Sequence, residues 1–403
     1  MRRRTVLAAA LATLLAGCSG GPAPSAPPTG GTPPAPASVP SSATPGATVS
    51  ASGPATPAPP TPTECAARIV DAMGTAERAG QVVMVGVTGA SASELATLKK
   101  LKIGSVILMG GRTSGVSGVK RVTARLAWKG QRTPMLISVD QEGGLVQRLR
   151  GRGFDAMPSA KVQSGWSNAT LESRAARWGR QLAAAGVNWT LAPVADVVPK
   201  SMTRRNAPIG ALNRGYGSDP DAVAAKVTAF VRGMETAGVA TSAKHFPGIG
   251  RVVGNTDHTA GVKDTITRAD DPYLKPFRAA VEAGAPSLMV STVTYTRIDA
   301  RNMAAFSPKV IGLIREGLGF AGVVISDDLG AARALASVPA RRRGIGFLKA
   351  GGDIAMTVTP GLADEFVAGI RAAADDPDVA AQLRASAVRV VAMKIGLGLV
   401  PCR

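Results

Sequence analysis

The chain has 403 residues, with 47 Lys or Arg against 27 Asp or Glu and a formal charge of +20. It holds only two His and three Cys, too few at ligand spacing for a zinc site. Aromatic residues make up 4% of the chain and no nucleic-acid-binding motif occurs, so the positive charge points to anionic envelope polymers or lipid headgroups rather than to nucleic acid.

Arg2, Arg3 and Arg4 make a basic start, and Val6 to Leu15 make an apolar stretch too short to span a bilayer. It ends in Leu14-Leu15-Ala16-Gly17-Cys18. Small residues before a Cys resemble the lipobox of bacterial lipoproteins. Residues 1–17 are therefore expected to be a signal peptide and Cys18 the lipidated first residue, with an ordinary signal peptide as the alternative. Residues 19–63 carry no charge and consist largely of Pro, Ala, Ser, Thr and Gly. Such a segment buries too little apolar surface to offset its ordering entropy. Residues 18–63 read as a tether that holds a folded domain outside the cell membrane.

The folded domain is expected over residues 64–403. Cys65 and Cys402 stand at its two ends. Exported chains keep disulfides, and the termini of compact domains are often close, so the two are expected to be bridged. Between them, short apolar runs alternate with helical stretches: Val82–Val87, Ser105–Met109, Met135–Val139, Thr190–Val194, Val239–Phe246, Ser287–Val293, Gly322–Ile325 and Asp353–Val358. Strands alternating with helices imply parallel βαβ units, and eight of them in this length imply an α/β fold of the (β/α)8 TIM-like barrel type. A doubly wound open sheet is the competing architecture, but no Gly-rich phosphate loop follows the first strand.

Polar groups gather where these runs end. Asp140 closes the third, Asp196 follows the fourth, Lys244 and His245 close the fifth, and Asp327 and Asp328 follow the seventh. Strand carboxyl ends share one rim of a barrel, where active sites are built. The fifth run opens the stretch KHFPGIGRVVGNTDH, which holds both histidines of the chain, His245 and His258, with Asp257 between them. Carboxylates and cationic groups on one rim suit glycoside hydrolysis, where one carboxylate attacks and a second group donates the proton. No Gly-x-Ser-x-Gly elbow supports a serine hydrolase.

The segments VDQEGGLVQR, LAPVADV, KHFPGIG, PFRAAVEAG and GFAGVVISDDL, in this order, resemble family 3 of the glycoside hydrolases. Within it the Lys-His-Phe-Pro-Gly segment is similar to the bacterial β-N-acetylglucosaminidases. The resemblance implies Asp327 as nucleophile, and Asp140, Arg148, Arg214, Lys244 and His245 as ligands of the terminal sugar. It implies retention through a covalent intermediate and no cofactor; no metal is expected from the residues, with Mg²⁺ held by carboxylates as the open alternative. The substrate class would be amino sugars such as peptidoglycan fragments.

The chain departs from that family at three points. Ile249 stands where the family has a second His, and Leu145 where it has an Arg. Counting from Lys244, the family's Asp-Ser-His triplet falls on Asn255-Thr256-Asp257, with His258 one residue late. Asp257 or His258 is then the proton donor. The reading is a lipid-anchored, extracytoplasmic retaining exo-β-N-acetylglucosaminidase without nucleic-acid partners, its oligomeric state left open with a monomer favoured. A sugar-binding lipoprotein on the same fold, or a β-glucosidase, is the alternative.

Overall fold

The computed structural model describes residues 59–402 apart from Lys129. The signal peptide read over 1–17, Cys18 and nearly all of the tether lie outside the described residues. The first helix, Pro62–Asp71, begins just inside the stretch read as tether. Its start is fixed locally: the Thr61 hydroxyl accepts from Glu64 N–H, and Glu64 Oε2 accepts from Thr61 N–H at 2.7 Å. Such a reciprocal cap satisfies two donors that a helix start leaves open.

Eight strands form one parallel sheet: β1 Val83–Val87, β2 Ser105–Leu108, β3 Leu136–Val139, β4 Trp189–Thr190, β5 Ala240–Phe246, β6 Ser287–Val290, β7 Val323–Ser326 and β8 Ala355–Thr357. Each pairs in parallel with the next from β1 to β7, and β8 returns to β1, with Val83 opposite Ala355. The last seam, between β7 and β8, rests on a parallel bridge of Ile325 to Ile354. There Ser326 N–H donates to Ile354 O at 3.0 Å, and Ser326 Oγ accepts from Met356 N–H at 2.9 Å. The ring is the expected (β/α)8 barrel.

The period of two along each strand divides the apolar side chains between two cores. Met84, Ile107, Leu136, Trp189, Ala240, Met289, Val323 and Met356 fill the barrel. Their neighbours on the strands pack outward against the helices in a second, larger core. The final helix, Pro377–Gly396, sends Val390 and Met393 into the inner core from the amino-terminal end of the barrel. Functional groups can therefore open to solvent only at the other end. The next residue, Lys394, is fully buried and donates to Gln81 Oε1 at 2.7 Å and Thr133 Oγ1 at 3.1 Å. Cys65 and Cys402 are bonded, with 5.4 Å between their Cα atoms, so the expected bridge joins the two ends of the domain. Among the described residues no helix is long and apolar enough to cross a membrane.

Candidate active site

Asp140 follows β3 directly, and the chain then folds into a small hairpin of Gln141–Gly143 against Val146–Gln147. Two glycines permit this. Gly143 and Gly144 have φ of +103° and +57°, and a Cβ on Gly143 would stand 2.2 Å from Pro158 O. The hairpin lies down on residues 157–159 and turns Glu142 inward, where it is buried.

Lys244, near the end of β5, reaches across to this hairpin. Its ammonium donates to Asp140 Oδ1 and Glu142 Oε1, each at 2.7 Å. Arg214 grips Glu142 with both arms of its guanidinium, at 2.9 and 2.8 Å, and donates to Pro208 O at 2.7 Å. Burial alone would raise the Glu142 carboxyl, but the charges of Arg214 and Lys244 hold it well below the usual range. Burial would likewise lower Lys244, and Asp140 and Glu142 reverse this and raise it. Glu142, Lys244 and Arg214 stay ionised and the network is fixed, and charged donors and acceptors make the stronger hydrogen bonds to hydroxyls. Arg148 joins them through its backbone, whose N–H donates to Asp140 O at 3.3 Å. Its Nε is buried with no hydrogen-bond partner among the described residues.

His245 is held by Asp196. The carboxylate, fully buried, meets His245 Nδ1 at 2.8 Å and accepts from His245 N–H at 3.2 Å and Ile249 N–H at 2.8 Å. The hydrogen bond at Nδ1 leaves Nε2 for the site. The next side chain, Phe246, points outward and meets Phe277 edge to face at 5.2 Å. Such a contact adds roughly 0.5–1.5 kcal/mol beyond burial, and here it fixes the strand end that carries Lys244 and His245.

The segment from Pro247 to Val262 arches over the rim. Gly250 lies against Val197, and a Cβ there would come within 1.9 Å of Val197 O. Asn206 donates to Ile249 O at 2.7 Å and Val252 O at 2.8 Å, and the Tyr295 hydroxyl donates to Gly248 O at 2.9 Å. Ile249 itself is buried among apolar groups, so no imidazole enters at that point. At the tip, Asn255 Oδ1 accepts from Asp257 N–H at 3.0 Å. Thr256 O and Asp257 O accept from Ala334 and Arg333 N–H, at 3.1 and 3.2 Å. The tip is thereby docked on the turn that follows Asp327.

Asp327 and Asp328 follow one another but do different work. Asp328 accepts from Gly330, Ala331 and Val358 N–H at 2.8 to 2.9 Å, which shapes the turn. Arg343 fastens that turn by donating to Leu329 O and Gly330 O at 2.8 Å. Among the described residues the Asp327 carboxylate accepts only from the N–H of Asp328, at 2.8 Å, and is left for the rim. Burial pushes the Asp327 carboxyl up, the charge of His245 opposes this, and the charge of Asp257 adds to it.

The structure thus brings Asp140, Arg214, Lys244 and His245 to one rim, with Asp327 within reach of the charges of His245, Lys244 and Asp257. Asp257 and His258 are both exposed at the loop tip. Glu142 and Asp196 gained no role from the sequence. Both lie at strand ends, but their work is to hold Arg214, Lys244 and His245, and partners of that kind are set by contacts 49 to 102 residues apart.

Residues 75–393 match the family described as Glycosyl hydrolase family 3 N terminal domain. A β-hexosaminidase of Stenotrophomonas maltophilia K279a is 35% identical over 298 residues, covering 70% of this chain and 85% of its own. The crystal structure of a β-N-acetylhexosaminidase from Beutenbergia cavernae is 41% identical, with a TM-score of 0.77, covering 80% of this chain and 98% of the other. A family 3 β-N-acetylglucosaminidase from Paenibacillus sp. FPU-7 is 27% identical, with a TM-score of 0.73, over 81% of this chain and 63% of the other.

Proposed function

The chain belongs to glycosyl hydrolase family 3, and on that premise we propose that it is an exo-acting, retaining β-N-acetylglucosaminidase. It removes terminal β-linked N-acetylglucosamine from peptidoglycan fragments or related amino sugars. The observation that carries this reading is the Asp327 carboxylate, without a salt bridge among the described residues and within reach of the charges of His245 and of Lys244, which belongs to the fixed Lys244–Asp140–Glu142–Arg214 network. The names of its relatives support hydrolysis over a sugar-binding role alone.

In this reading the network holds the hydroxyls of the terminal sugar. An Asp327 oxygen attacks the anomeric carbon, the glycosidic bond breaks, and the leaving oxygen takes a proton from Asp257. Asp257, now a carboxylate, takes a proton from water as that water attacks the same carbon and releases Asp327. Both steps invert, so the product retains its configuration. Asp257 is chosen over His258 because, counting from Lys244, it stands where the family has the His of its Asp-Ser-His triplet, on a loop tip docked against the turn after Asp327.

Anchoring through Cys18 at the outer face of the cell membrane is part of the proposal, and Cys18→Ala should release the chain from membranes. The catalytic claim is tested by comparing chromogenic β-N-acetylglucosaminide with the matching β-glucoside. Turnover should favour the N-acetylated substrate by about tenfold or more, or 1.4 kcal/mol in transition-state binding. Equal turnover would move the chain to the glucosidases, and no turnover of either would leave it a binder.

A further inference from the structure

A second concave site, with no lining residue in common with the catalytic rim, lies along the helix Asn168–Ala184. It is an open groove of about 940 Å³, lined by Asp155, Thr170, Arg174, Arg177, Trp178 and Arg180 among others. Three guanidinium groups thus face one carboxylate. Arg177 takes that carboxylate in a two-point grip, Nε to Oδ2 at 2.7 Å and Nη2 to Oδ1 at 3.0 Å. Asp155 is itself fixed, since its N–H donates to Gln181 Oε1 at 3.0 Å. Arg174 is stacked on Trp166, 4.7 Å from the ring centroid, and Trp166 leans on the buried Trp178 at 6.2 Å. Stacking occupies the face of a guanidinium and leaves its N–H edge for a planar anion. Neither Arg174 nor Arg180 has an ion pair among the described residues. The neighbouring helix, Gly115–Leu126, adds exposed Lys120, Arg121 and Arg125 and no acid.

Like charges held this close repel unless an anion comes between them. The anion that the groove already seats is a carboxylate. Arg174 and Arg180 lie six residues apart on one helix, about 9 Å along its axis at 1.5 Å per residue, so they suit charges repeated along a chain. A groove also favours a strand over a bilayer, which would rest on its rim. We propose that this groove is an accessory binding site for an acidic polysaccharide, whose carboxylates pair with Arg174 and Arg180 as Asp155 pairs with Arg177. It acts apart from the catalytic rim and holds a carboxylate-bearing glycan against the outer wall of the barrel.

The test uses the full chain with polygalacturonate, and with dextran, duplex DNA and vesicles of phosphatidylglycerol as comparisons. Polygalacturonate should bind and should weaken as salt is added, while dextran should not bind. Arg174→Ser with Arg180→Ser should weaken polygalacturonate by about tenfold or more, with turnover of the chromogenic substrate and thermal midpoint unchanged. Arg174→Lys with Arg180→Lys, which keeps the charge and loses the two-point grip, should bind polygalacturonate more weakly than the parent and more tightly than the double Ser variant. Polygalacturonate binding that is absent, or unaltered in the double Ser variant, would overturn the proposal. So would tighter binding to DNA or to the vesicles, whatever the outcome at the catalytic site.

Discussion

Asp257, at the tip of the loop after β5, lies close enough to Asp327, at the end of β7, for its charge to hold the proton of Asp327 more tightly. Burial is the larger cause, and His245 works against both. A nucleophile must be ionised to attack. The acid limb of kcat/KM should therefore fall at a higher pH than an ordinary aspartate would give, since the limb reports the free enzyme. Asp257→Asn removes one of the two raising influences and should move that limb to lower pH. An aryl glycoside with a good leaving group makes the measurement possible, because it departs with little protonation. An acid limb left in place by Asp257→Asn would separate the two carboxylates.

The same pair sets an expectation for leaving groups. Loss of a general acid removes typically about 10²- to 10⁴-fold where protonation is needed. Asp257→Ala should slow poor leaving groups by that order and activated aryl glycosides far less, whereas His258→Ala should spare both. A split seen only in His258→Ala would show that the loop tip shifts by one residue in the working enzyme.

Lys394 gives a prediction about stability. Among the described residues its buried ammonium has only the neutral acceptors Gln81 and Thr133, and burial lowers it to about 7. An unfolded Lys titrates near 10.4. Between these values the unfolded chain holds a proton that the folded chain does not, so stability should rise with pH from about 7 upward. Below pH 7 both states are protonated and the full penalty is present, on the order of 4–5 kcal/mol. Lys394→Met should stabilise the chain most under acidic conditions and flatten that rise. Thr133 Oγ1 still donates to Gln81 Oε1 at 3.1 Å, so neither polar group is orphaned. Urea unfolding at pH 6 and pH 9 checks this, and a variant less stable than the parent at pH 6 contradicts it.

Much of the barrel was legible in the sequence because its strands are buried on both faces and therefore read as apolar runs. The fourth was displaced: its ladder residues are Trp189 and Thr190, and Trp189 points into the barrel where a run starting at Thr190 omits it. The hairpin after Asp140 was not legible, since Gly143 and Gly144 break any alternation. The closure of β7 onto β8 could not be read either, as it depends on Ser326 and one bridge. Nor does the sequence distinguish Lys394 from a solvated lysine on a helix. At the site, Asp140, Lys244 and Asp327 announced themselves as polar ends of apolar runs. Asp196 and Glu142 acquire meaning only through His245 and Arg214, which the fold brings to them from far along the chain.

The central claim is that Asp327 forms a bond to the sugar while its neighbour Asp328 only builds the turn. A fluorinated N-acetylglucosaminyl fluoride slows release of a covalent intermediate more than its formation, so the labelled peptide can be isolated and sequenced by mass spectrometry. The label should sit on Asp327 and should be absent from Asp327→Ala, which should fold normally and fail to turn over. A label on Asp328, or on any other carboxylate, would contradict the account.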